Sequence, residues 1–277
     1  MLHSQILLPS EPLRPFVHHY WIMRADRNSI AMNILPTGCT KWMFHWGKPF
    51  CINGFQDVNN RASLCGQYQT AAQVVMQGEA NLLFVFFRPY AMKMITGIPC
   101  DLFANSNIAL DDLGIPEFKW LKQQILETTD KLTAIRLIEE FIIRQLIRRS
   151  DDVHLKQFME VCHTIELYPN ASLSYLAEKA CLSERQLRRL FLNYIGMSPK
   201  HLMRIQRCLV ASQSILQTSE RDFSSLIYQL GFTDHSHFYK EFKLFAGMSP
   251  SNFLDHISNI RGNDLIRGYQ AYHKQGR

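Results

Sequence analysis

The chain contains no run of about 18 consecutive apolar residues, the length a membrane-crossing helix needs. Its longest uncharged stretch, Ala62 to Gly78, is broken by Ser, Gln and Thr. The seven cysteines, at positions 39, 51, 65, 100, 162, 181 and 208, include no Cys-x-x-Cys pair. An odd number at wide spacing argues against a disulfide framework or a four-cysteine zinc site and for reduced, buried thiols. The sequence also lacks Gly-x-x-x-x-Gly-Lys-Ser/Thr, Gly-x-Gly-x-x-Gly and Gly-x-Ser-x-Gly, the signatures of phosphate loops, dinucleotide sites and serine hydrolases. No ordered set of His, Cys or carboxylate partners accompanies His18-His19 or His45, and His235-x-His237 has no supporting ligands. Neither a metal nor a cofactor is therefore expected, and no membrane partner. Met1 to Glu11 has no basic start and soon reaches Pro9 and Glu11, so we expect no signal peptide and a cytoplasmic location.

What is present is enough apolar sequence for two domains: 277 residues, 47% hydrophobic and 19% charged. The net charge of +6 permits a nucleic-acid partner without requiring one. The first ~90 residues read as short strands of aromatic and branched residues: Phe16–Met23, Ser29–Leu35, Thr40–Trp46, Phe50–Ile52 and Asn81–Arg88. Turn signals at Pro36-Thr37-Gly38, Gly47-Lys48-Pro49 and Asn53-Gly54 separate them. A sandwich or small barrel follows. From Pro89 the pattern becomes helical, and Leu132, Ile135, Ile138, Phe141, Ile142, Gln145 and Leu146 mark an amphipathic helix. We place a domain boundary in the charged stretch Arg148 to Asp152 that ends it, giving an N-terminal domain at 1–150, a helical domain at 151–257 and a tail at 258–277. The expected fold class is thus α+β: a β-rich N-terminal sandwich or small barrel with following helices, then an all-α domain.

The helical part contains an internal repeat. Gly196-Met197-Ser198-Pro199 recurs as Gly247-Met248-Ser249-Pro250, 51 residues later, and Leu176, Leu187, Phe191 and Leu202 meet Ile227, Phe238, Phe242 and Phe253 at that offset. In the first copy, a short helix over Ser172–Lys179 leads through Ala180-Cys181-Leu182 to Ser183, an N-cap with Gln186 three residues on. The helix Glu184–Tyr194 then buries Leu187, Leu190, Phe191 and Tyr194, with Arg185, Arg188 and Arg189 on the other side. The second copy runs from Phe223–Leu230 through Gly231-Phe232-Thr233 to Asp234–Ala246, with Ser236, His237 and Lys240 outward. Each copy has the helix-turn-helix plan, whose second helix enters the major groove of double-stranded DNA. Residues 172–253 hold ten Lys/Arg and six Asp/Glu, so most of the net charge lies here.

These residues resemble the AraC/XylS type of transcription regulator. The resemblance rests on Leu176-Ala177, Ser183 to Phe191, the two Gly-Met-Ser-Pro motifs, Arg207 to Ala211, Gly231 to Phe238 and Phe242-Lys243, with Cys208 standing where the family usually has Leu. It implies that a helix over Arg204–Leu216 joins two units that read successive major-groove segments, and that the protein is a regulator, an activator by family habit. By motif position, base contacts fall to Arg185, Gln186, Arg188 and Arg189 in the first unit and to Ser236, His237 and Lys240 in the second. Ser183 and Ser198 are candidates for phosphate contacts.

The resemblance extends to the N-terminal region through Leu35-Pro36-Thr37-Gly38-Cys39, Gly66-Gln67, Phe87-Arg88-Pro89 and Gly97-Ile98-Pro99, which are similar to a regulatory domain of some bacterial members. It supplies no effector. Tyr20, Trp21, Trp42, Phe44 and Trp46 are candidates for a small-molecule pocket, or equally for packing a β core. Trp42, Phe44 and Trp46 should share one strand face while His45 points away. The helix Leu132–Ile147 is a candidate homodimer surface, or is buried in its own domain. Two alternatives stay open: an effector-independent DNA-binding protein whose N-terminal half dimerises or contacts RNA polymerase, and a DNA-repair enzyme fused to this DNA-binding domain. The second would need a reactive cysteine, and none of the seven stands out. The paired acids Asp111-Asp112 and Glu139-Glu140 read as helix caps or solvated groups, so no enzyme activity is expected.

Overall fold

Strand-forming runs with apolar residues on both faces must lie inside a layered structure. Phe84, Val85, Phe86 and Phe87 are such a run, and they occupy the middle of the larger of two sheets. The computed structural model describes residues 2–25, 30–46, 50–52, 55–56, 61–76, 78–149, 154–217 and 223–259. The expected turns at 47–49 and 53–54, positions 150–152 of the expected boundary and the tail from 260 onward lie outside the described residues.

Strands β1 (Leu2–Leu7), β2 (Val17–Ala25), β9 (Ala80–Phe87), β4 (Lys41–His45), β7 (Ala62–Cys65) and β10 (Asn107–Ala109) form a six-stranded sheet in the order β1-β2-β9-β4-β7-β10. A four-stranded sheet, β3-β8-β5-β6, comprises Ile30–Ile34, Ala72–Met76, Phe50–Ile52 and Phe55–Gln56. Every strand pair is antiparallel. The architecture agrees with the expected α+β class. β1, β6, β7, β8 and β10 were not anticipated: their sequences are short, small-residued or polar. β10 also places a strand in a stretch read as helical.

One face of the large sheet packs on the small sheet through Trp21, Met43, Phe86, Ala72 and Val74. The other packs on helices α1 (Ala91–Thr96), α2 (Pro116–Glu127) and α3 (Lys131–Ile147). Because β4 lies inside the sheet, all five of its residues are buried, with Trp42 and Phe44 on the helix side. Asp130 caps α3 by accepting hydrogen bonds from the Leu132 and Thr133 amides. The apolar face of α3 meets the sheet through Ile135, Ile138, Phe141 and Ile142; Ile143 is half-buried there and Ile147 is exposed.

The rest is helical: α4 (Leu155–Leu167), α5 (Leu173–Lys179), α6 (Glu184–Ile195), α7 (Pro199–Gln217), α8 (Ser224–Gln229), α9 (His235–Ala246) and α10 (Pro250–Asn259). α7 begins at Pro199 rather than at the expected Arg204, since proline is well suited to a first helical turn and Ser198 accepts a hydrogen bond from the His201 amide. Leu35, Cys39, Tyr90 and Met94 share one buried cluster with α4–α10. The loop after β3 and helix α1 are thereby joined to the C-terminal helices through a common core.

Candidate nucleic-acid interface

The two helix-turn-helix units are built by the same local rules. Ser172 caps α5, accepting from the Tyr175 amide. Ser183 caps α6 by accepting from the Gln186 amide, and the Gln186 side chain accepts in return from the Ser183 amide at 2.9 Å. Asp234 caps α9, accepting from the His237 amide at 2.8 Å. α6 buries Leu187, Phe191 and Tyr194, and α9 buries Phe238, Phe242 and Phe245. Replacing Phe238 with Ala would cost about 3–5 kcal/mol, a packing effect and not a DNA effect.

The copies differ by one residue in the turn. The left-handed residue is Cys181 (φ +53°) in the first unit and Gly231 (φ +68°) in the second, 50 residues apart, whereas the caps Ser183 and Asp234 are 51 apart. Leu182 N donates to Ala177 O, and Phe232 N to Ile227 O, in the same geometry. Gly231 therefore corresponds to Cys181 and not to Ala180. The first helices align at the shorter offset, with buried Leu176 and Ala177 opposite buried Leu226 and Ile227. The uniform 51-residue repeat holds only from the caps onward.

On the outer faces, Arg185, Gln186, Arg188 and Arg189 of α6 are exposed, as are Ser236 and Lys240 of α9, while His237 is half-buried. Their surroundings separate them. Arg188 pairs with Glu184 at 3.0 Å, one turn away. Gln186 spends its carbonyl on the cap, and His237 Nδ1 faces the Thr233 amide and hydroxyl, both at 3.4 Å. Arg185 and Arg189 in the first unit, and Ser236 and Lys240 in the second, are the outward residues engaged neither in a cap nor in the Arg188–Glu184 pair. Ser183 and Ser198 are exposed at the N-termini of α6 and α7, where backbone amides favour an anion.

The sequence reading missed what orients α9. Arg204 on α7 donates from Nε to Glu241 Oε2 (2.8 Å) and from Nη2 to Glu241 Oε1 (2.5 Å), and Arg207 stands 3.9 Å from the same carboxylate. These guanidinium groups hold the Glu241 carboxyl below its ordinary range. A Glu facing Arg across two helices leaves no local periodicity to detect.

Two of the motifs attributed above to a regulatory domain, Leu35–Cys39 and Phe87–Pro89, lie where the N-terminal part meets the helical part. Leu35 and Cys39 enter the helical core, and Arg88 pairs with Glu166 of α4 at 3.5 Å. The Gln69 carbonyl lies 3.3 Å from His201 Nε2 of α7. At Gly196 an added Cβ would fall 2.5 Å from the Cys100 carbonyl oxygen.

Of the five aromatic candidates for an effector pocket, Tyr20, Trp42, Phe44 and Trp46 belong to the cluster between the large sheet and the helices, and Trp21 lies on the opposite face. Tyr20, Trp42 and Phe44 pack toward the helices; Trp42 makes edge contacts with Phe87, Phe118 and Phe141 at 4.8, 5.1 and 5.8 Å. The Tyr20 hydroxyl donates to Glu139 of α3 at 3.2 Å. The Lys131 ammonium covers the Trp46 ring at 3.0 Å. Trp21 faces the small sheet. Among the described residues, no group of three or more His, Cys, Asp or Glu is arranged to hold a metal ion, and no helix is long and apolar enough to cross a membrane. Five cysteines are buried, Cys51 is half-buried and Cys181 exposed. Burial pushes the Cys100 thiol up to about 12 and those of Cys162 and Cys208 upward as well, the reverse of what a nucleophile requires.

Comparison with known proteins gives two domain matches, a helix-turn-helix domain over residues 176–256 and a domain of unknown function (DUF6597) over residues 5–109. The arabinose operon regulatory protein of Escherichia coli (strain K12) is 27% identical over 183 residues, covering 61% of this chain and 62% of that protein. Its Salmonella typhimurium counterpart is 25% identical over 183 residues, with 61% and 65% covered. The chain thus spans less than two thirds of the length of these curated relatives. Among solved structures, ToxT from Vibrio cholerae is similar with a TM-score of 0.46 and 13% identity, over 92% of this chain and 98% of that one.

Proposed function

Because the chain carries an AraC-type helix-turn-helix domain and its relatives are transcription regulators of that family, not enzymes, we propose that it activates transcription by reading two successive major-groove segments. In this reading α6 and α9 lie in grooves about one helical turn apart on one face of the duplex. Arg185 and Arg189 read base edges in one segment and Ser236 and Lys240 in the other. Arginine can address guanine O6 and N7 together, and the exposed serines at helix N-termini hold the phosphates. A small molecule bound to the N-terminal part controls the arrangement.

The observation that carries the reading is the pair of equivalent capped helices, each with a buried aromatic face and an uncommitted polar outer face. The core that the loop after β3 and helix α1 share with the helical part supports the regulatory half, since a ligand acts at a distance only through an element whose equilibrium it shifts. The test is a double variant, Arg189→Ala with Lys240→Ala, assayed on an operator selected from random DNA at fixed salt. Specific binding should disappear while the thermal transition is kept. Unchanged operator affinity would refute the assignment.

A further inference from the structure

Two segments of the N-terminal part, residues 66–71 and 100–106, are stitched into one body. The Gly66 amide donates to the Ser106 carbonyl at 2.9 Å, and the Asn105 amide to the Gln67 carbonyl at 3.0 Å. The Gln69 amide donates to Asn105 Oδ1 at 2.8 Å. Asn105 makes both of its bonds from a left-handed backbone, φ +55°, which asparagine tolerates better than most residues. Gly66 closes the assembly, since a Cβ there would fall 1.6 Å from the Phe103 carbonyl oxygen. The Gly66-Gln67 motif thus shapes a saddle on the side of the N-terminal part that meets the helices.

The saddle touches both Gly-Met-Ser-Pro motifs. Its Cys100 carbonyl faces Gly196 at the end of α6, and Ala71, with Asn33 of β3, stands 3.5 Å from where a Cβ of Gly247 would lie at the end of α9. Between these points the Gln69 carbonyl accepts from His201 Nε2 at 3.3 Å. The other side of His201 meets the second unit: its ring packs edge-on against Phe245 of α9 at 5.5 Å, and Arg204 lies 5.1 Å from the same ring. Arg185 lies eleven positions before Gly196 and Ser236 eleven before Gly247, ~16 Å away along each helix. Arg185, Arg189, Ser236 and Lys240 are exposed with the saddle in place. The contact therefore holds the far ends of α6 and α9 without masking their outer faces.

We propose that the saddle is a brace that sets the separation of α6 and α9 on DNA, with His201 as the positioning residue that carries it to α9. The proposal deepens the two-segment reading above and rests on it. Within the helical part, α7 grips α9 at Glu241. The saddle adds a second attachment at Gly247, six positions further on and ~9 Å along the helix. One attachment leaves a pivot, whereas two fix a direction. Helices held at the right separation lose less freedom on binding, so affinity rises for the matching spacing and for no other. His201 has no counterpart in the repeat: Asn252 stands at the 51-residue offset, with the same amide bond to the capping serine. The imidazole is therefore not needed to start the helix, and its placement between the saddle and Phe245 calls for another role.

The test uses the full chain and an operator selected from random DNA, in its selected form, with one base pair inserted or removed between the segments, and with either segment scrambled. One base pair turns the second segment by ~35° about the duplex axis. The wild type should bind the selected spacing at least about tenfold more tightly than either altered one. His201→Ala removes the bond to Gln69, and Ala71→Leu wedges the saddle away from Gly247 without adding charge. Both should narrow the spacing preference to about threefold or less while keeping base discrimination within each segment. His201→Gln, whose amide still donates to the Gln69 carbonyl, should restore the preference. A spacing preference unchanged in both variants, or a wild type indifferent to spacing, would overturn the brace and leave the two-segment reading standing. Loss of the thermal transition in both variants would assign the contact to stability and overturn the brace as well. Wild-type affinity that survives scrambling of either segment would contradict the two-segment reading and this proposal together.

Discussion

Arg204 grips Glu241 with two parallel hydrogen bonds, fixing helix α7 against helix α9. The Glu241 side chain is only 14% exposed, so removing its partner leaves a shielded carboxylate with one distant cation, Arg207. Arg204→Ala should therefore lower stability by about 1.5–3 kcal/mol. Arg204→Lys should recover part of it, since an ammonium cannot form the fork. Urea denaturation of the three proteins checks the ranking. On DNA, both variants should lose affinity at the segment read by α9 more than at the one read by α6.

Two glycines in identical motifs have different surroundings. Gly196 and Gly247 end α6 and α9 with positive φ, +81° and +74°. A Cβ at Gly196 would strike the Cys100 backbone at 2.5 Å, whereas at Gly247 the nearest atoms stand 3.5 Å away. Gly247→Ala should cost about 1 kcal/mol, the conformational penalty alone. Gly196→Ala should cost at least about 2 kcal/mol, because strain adds to a forced separation of the N-terminal part from α6. Equal costs in thermal or urea denaturation would show that this contact contributes nothing.

Acid sensitivity should trace to His19. Burial, reinforced by Arg88 and Lys41, lowers its pKa from 6.5 to about 3. Between these values the unfolded chain holds a proton that the folded chain refuses, so stability is complete above pH 6.5 and falls as the pH drops toward 3. His19→Phe keeps the ring stack on Phe86 and removes the titration. Its stability should fall less between about pH 7 and about pH 5, with the difference bounded by about 1.4 kcal/mol per pH unit. An identical slope in both proteins would place the acid sensitivity elsewhere.

How much of this was legible beforehand depended on whether the controlling interactions were local. Caps, turns and three-to-four spacing are local, and the helices around Ser183 and Asp234 were placed within a residue or two of where they lie. The turn was harder: Cys181 in a left-handed conformation is not a glycine, so a uniform repeat looked correct although the second turn is one residue longer. Alternation correctly put Trp42 and Phe44 on one face, but it could not say that helices cover that face. Lys41 was passed over because a lysine beside a tryptophan reads as an edge or surface residue until neighbouring strands enclose it. The contacts of Arg88 with Glu166, and of Arg204 with Glu241, join positions far apart in sequence, and no periodicity announces them.

The central claim is that one chain reads two successive DNA segments with two separate helices. The most direct measurement is the affinity of wild type, Arg189→Ala and Lys240→Ala for a selected operator and for every single-base variant of it, at one salt concentration. The account predicts that Arg189→Ala loses about 1–3 kcal/mol of discrimination at bases in one segment only. Lys240→Ala should lose discrimination only in a second segment about 10 base pairs away. Loss at the same bases in both variants, or at none in either, would contradict it.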